Sequence, residues 1–165
     1  KDAQVDNNLA KETMSLAYAL THATDEKRRL EHVWGPGDLA SVNILKQAVD
    51  NVLVEYLVNP DIEAATQAVR DLNVPSFAPQ IVKRALVKGL EHNTEGKRDS
   101  IVNLLESWHK ISLMSDGSMK RGFDAAWKQI DDIKLDVPGA PALMAELQAL
   151  AIERKLLPAD FKQAL

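Results

Sequence analysis

Cysteine is absent from the 165-residue chain, which excludes disulfide staples, thiolate metal sites and cysteine nucleophiles together. That composition fits a reducing compartment. Aromatic residues make up only 5% of the sequence, and no segment sustains apolar–polar alternation with β-branched enrichment, so no strand is expected. No apolar run approaches the roughly 18 residues that a membrane span requires, and the N-terminal stretch lacks the apolar core of a signal peptide. A soluble protein is expected. The chain starts at Lys1 rather than Met, so a longer parent chain is expected as well.

What is present is a chain long enough to bury about 70% of its unfolded surface without any staple. Its 24 acidic residues outnumber its 20 lysines and arginines, giving a net charge of -4 and a pI near 5.6. This balance argues against a nucleic-acid binder, because phosphate contacts draw on clustered cations. Local basic groups occur at Lys27 to Arg29, at Lys83, Arg84 and Lys88, and at Lys97 with Arg98. Each falls on or beside a predicted helix and reads as a solvated face.

The apolar residues recur at three- and four-residue steps, the spacing of helices with one buried stripe. A leader helix is expected over 9–34, stopped by the Gly35-Pro36-Gly37 hinge, so that 1–40 forms a connector and 41–165 the main domain. The first helix of the domain carries Ile44, Leu45, Ala48, Val49, Val52, Leu53, Tyr56 and Leu57 on one broad stripe. Asn59-Pro60-Asp61 breaks it and starts a second helix, necessarily antiparallel after so short a turn. Two prolines lock the next bend around Phe77, an expected apolar plug. Three further helices carry Ile81 to Leu90, Ile101 to Ile111 and Met119 to Ile130, the last of them opening near Asp116 as a possible cap. A sixth helix is expected over about 138–155, and a short terminal one from Pro158 to Leu165. The fold class is therefore all-α, a stack of antiparallel helical hairpins.

Catalytic signals fail on inspection. Ser107 and Lys110 fit S-x-x-K, but partner motifs are missing and Trp108 between them belongs to an apolar stripe. Gly35-Pro36-Gly37-Asp38-Leu39-Ala40 fits G-x-G-x-x-A, yet a helix precedes it where a dinucleotide site needs a strand. The four histidines, His22, His32, His92 and His109, never stand at the i, i+4 spacing of a helical zinc site. Gly96-Lys97 is followed by Arg98 rather than Ser or Thr, which disfavours a P-loop. No metal, cofactor or enzymatic activity is expected.

The stretch at 131–141, DDIKLDVPGAP, holds three carboxylates within six positions. Asp132 and Asp136 flank Ile133 and Leu135, so a loop anchored by buried aliphatics would present both acids to solvent as a docking surface. A second reading is local. Asp136, followed by Val137 and Pro138, fits an N-cap with proline in the first helical turn. Spacing alone favours the cap, and one residue can fill both roles.

Three blocks occur in order: EYLVNPDIEAATQAVRDLNVPSFAPQIVKRAL, then SIVNLLESWHKISLMSDGSMKRGFDAAWKQIDDIKLDVPGAPALMAEL, then ERKLLPADF. Together they resemble the MA-3 domain family from about residue 43 to 161, in particular the second, C-terminal domain of its programmed-cell-death-4-like members. RLEHVWGPG at 29–37 is similar to the connector ahead of that second domain, which implies a sister MA-3 domain in the same chain. The resemblance implies a HEAT-like helical-hairpin fold, a cytoplasmic or also nuclear location and a protein partner. That partner is eukaryotic initiation factor 4A, the DEAD-box helicase of cap-dependent translation. In the programmed-cell-death-4-like group the domain competes with initiation factor 4G and RNA and hinders closure of the helicase. The helicase-contacting acids of the family map onto Asp132 and Asp136, with Leu135, Val137 and Pro138 beside them. A helicase-recruiting scaffold of the initiation factor 4G type and an RNA-binding helical repeat are the alternatives.

Overall fold

The computed structural model describes residues 39–162 other than Asn93. The connector helix expected over 9–34 and the hinge expected at 35–37 lie outside the described residues. Helix α1 (Leu39–Val58) and α2 (Ile62–Leu72) form the first hairpin, and a 3-10 turn (Pro75–Phe77) leads into α3 (Ala78–Glu91). Helices α4 (Glu95–Lys110), α5 (Asp116–Trp127), α6 (Ile130–Asp136) and α7 (Ala140–Glu153) follow. No strand occurs among the described residues, and the fold is all-α.

The packing sorts into two layers. α1, α3 and α5 lie side by side in one, and α2, α4 and α7 in the other, with α1·α2 and α3·α4 joining the layers as hairpins. Helix breaks follow the local chemistry. Asp61 caps α2 by accepting a hydrogen bond from the Ala64 amide at 2.9 Å. Phe77 is buried, as its place between two prolines suggests. Ser115 rather than Asp116 caps α5, through its hydroxyl and the Ser118 amide. Ile44, placed on the α1 stripe by spacing, faces outward with 71% of its surface exposed.

α3 is the central element and meets α5 over the longest contact. The approach is close because Gly122 of α5 has no side chain. A Cβ there would lie 2.5 Å from both Cβ and Cγ1 of Val82, and 3.0 Å from the Pro79 carbonyl oxygen. Gly122→Ala gains about 1 kcal/mol of helix propensity, but forcing the helices apart costs about 1–3 kcal/mol or more. A net loss of stability is expected in a urea titration. Val82→Ala does not rescue it, because the Val82 Cβ is itself in the clash.

The second layer is tied by charge. Arg154, at the end of α7, donates to Glu106 of α4 at 3.1 Å, and Lys110 lies 2.5 Å from the other Glu106 oxygen. The Lys110 hydrogen bond, with Arg154 adding to it, holds the Glu106 carboxyl below the usual carboxylate range. Beyond α7 the residues at 158–162 form a turn, with the Phe161 amide donating to the Pro158 carbonyl at 3.0 Å. The terminal helix expected from Pro158 is thus absent over 158–162, and 163–165 lie outside the described residues. Phe161 is buried edge-on against Phe123, with ring centroids 6.3 Å apart.

Candidate partner-binding surface

Between α5 and α7 the chain makes a helix where a loop was expected. Ile130, Ile133 and Val137 recur at i, i+3 and i+7, which turns them to one side. Ile130 and Ile133 pack against the core and Val137 is buried, at 8% exposure. The frame on either side is pinned by Trp127, whose indole N–H donates to Gln148 of α7 at 2.7 Å. The seven residues of α6 are therefore held on a fixed base.

At about 100° per residue, Asp132 and Asp136 stand roughly 40° apart on one flank of α6. Both are exposed, and no described side chain pairs with either or with Asp131. Leu135 lies on the far side of the acid pair from Ile133 and is 83% exposed. The order around the helix is thus half-buried isoleucine, two exposed carboxylates, then an open leucine. Such a face suits a guanidinium or ammonium group beside an apolar patch on another protein.

Four expectations change in detail. Asp136 is the last residue of α6 and caps nothing, since α7 starts at Ala140 and its N-cap is Gly139, without a side-chain cap bond. Pro138 stands in the exposed link, and Pro141 takes the first helical turn instead. Leu135 does not anchor the segment. Val137, expected at the contact surface, does so instead: burial makes it a support for the acids. The helical spacing 130, 133, 137 was the signal for α6, masked by reading Asp-Val-Pro as a helix start.

The other candidates resolve into structure. Lys110 is engaged by Glu106 and is not a free base for Ser107. His109 lies 3.2 Å from the Met114 carbonyl through Nδ1 and 3.4 Å from Asp116 through Nε2, a tie across the α4–α5 turn. His92 is exposed after α3, and His22 and His32 lie outside the described residues.

The MA3 domain family model matches residues 45–158, which spans α6 and every helix packed around it. The chain belongs to the MA3 domain family. It is 36% identical to human programmed cell death protein 4 over 135 residues, covering 81% of this chain and 29% of that protein. It is also 33% identical to the MA3 domain-containing translation regulatory factor 4 of Arabidopsis thaliana over 150 residues, 91% of this chain and 23% of the relative. The chain thus spans less than a third of the length of either relative. Within this MA3 domain the exposed acid pair on α6 occupies the positions that the sequence resemblance implies for the partner contact.

Proposed function

We propose that this MA3 domain is a non-enzymatic protein-binding module that occupies eukaryotic initiation factor 4A and restrains it, lowering cap-dependent translation initiation in the cytoplasm. The observation that carries the reading is the pair Asp132 and Asp136, exposed, side by side and without partners among the described residues. Carboxylates left unpaired on a rigid element cost nothing to release from the fold, so their full electrostatic value is available to a cationic partner. Resemblance in the 29–37 connector favours the inhibitory branch of the family, and the relatives named for translation regulation support the same class.

An unwinding assay tests the direction of the effect. Added in excess over the purified helicase, the chain is expected to lower ATP-dependent strand separation of a short RNA duplex, and the Asp132→Asn/Asp136→Asn variant to lower it less. Unchanged or faster unwinding in the presence of the bound chain contradicts inhibition and favours a recruiting scaffold.

A further inference from the structure

A groove runs beside α6, with Lys83, Val87 and Ile133 in its wall and two acids, Asp50 and Glu91, beside the cations Arg84 and Lys88. Two of its three cations are already satisfied. Arg84 donates through Nε to Asp50 at 2.6 Å, with a second contact from its Nη2. Lys88 lies 2.6 Å from Glu91. Lys83 has no such partner among the described residues. Burial pushes the Lys83 amine below the usual lysine range, and the nearby charges of Arg84 and Lys46 push it further the same way. A half-buried ammonium with no carboxylate of its own among the described residues is a cost to the free domain, and an incoming anion would relieve it.

Ile133 joins the two features. It walls the groove and stands next to Asp132 in sequence and one helical turn short of Asp136. The groove and the acid pair thus meet at Ile133, with the one uncommitted groove cation, Lys83, on one part and the carboxylates on the other.

Resting on the function proposed above, we propose that Lys83 receives a carboxylate side chain of the same partner whose cations meet Asp132 and Asp136. Val87 and Ile133 would take the aliphatic stem of that residue. Two contacts of opposite sign fix the orientation of a docked protein, where a lone acid pair leaves it free to pivot. A nucleic-acid backbone fits less well, because only one groove cation is uncommitted and the three acids of α6 border the path.

The test uses the full chain, purified eukaryotic initiation factor 4A, and the variants Lys83→Met and Lys83→Gln. Met keeps the packed stem and removes the charge. Each variant is expected to bind the helicase about fivefold more weakly, with a shallower salt dependence, while its melting temperature holds or rises. Lys83→Glu is expected to bind more weakly still. Wild-type affinity in both neutral variants, with Asp132→Asn/Asp136→Asn impaired, overturns the groove and leaves the acid pair standing. No binding by the wild-type chain removes both. If the chain alone binds a single-stranded RNA oligonucleotide and Lys83→Met abolishes it, the groove is a nucleic-acid site and the proposal fails.

Discussion

Replacing Trp108 with alanine is expected to remove roughly 3–5 kcal/mol of folding stability, a large share of the 5–15 kcal/mol typical of a domain. The side chain is fully buried where α4 crosses α2, and its indole N–H donates to the Thr66 hydroxyl at 3.0 Å. Thr66 in turn donates to the Ile62 carbonyl at 2.6 Å, so one chain of hydrogen bonds links the two helices through the core. Alanine leaves a cavity and takes away the Thr66 donor together. Thr66→Val isolates the polar part: it strands the indole N–H and should cost about 1–3 kcal/mol. Urea unfolding followed by far-ultraviolet circular dichroism checks both, with the alanine variant the more damaged.

The second large effect appears in binding and not in folding. Asp132→Asn/Asp136→Asn removes two charges that cap no helix and join no ion pair among the described residues. Asp132 lies in the first turn of α6, where a negative charge is favourable, and Asp136 lies at its end, where one is unfavourable. Each contribution is about 0.3–1 kcal/mol, and the two oppose, so the melting temperature should stay close to wild type. Removing one side of a charge pair that a partner desolvates costs about 2–5 kcal/mol of binding. The double variant thus separates contact from fold in a way that a buried substitution cannot.

Much of this architecture was legible because helices with one buried stripe advertise themselves. Leu104, Leu105 and Trp108 of α4, and Met119 and Phe123 of α5, fall at three- and four-residue steps, and all are buried. Asn59-Pro60 and the prolines around Phe77 end helices by removing donors and fixing φ, effects that need no tertiary context. The segment around α6 was harder for a physical reason. Pro138 and Pro141 stand three residues apart and either can open a helix. Packing makes the choice, since Val137 and Ala140 are both drawn into the core and the helix can begin only after the link between them. Leu135 was misplaced by the same step, because an apolar residue in a presumed loop suggests an anchor. In the register of α6 it points away from Ile133. The groove at Lys83 depends on residues brought together from α1, α3 and α6, and spacing along the chain carries no sign of that proximity.

The most direct measurement of the central claim is an equilibrium titration of purified eukaryotic initiation factor 4A with the full chain, wild type against Asp132→Asn/Asp136→Asn. The expected result is saturable binding by the wild type and a loss of at least about tenfold in the variant, equivalent to some 1.4 kcal/mol, at matched melting temperatures. Equal affinities for the two proteins would contradict it.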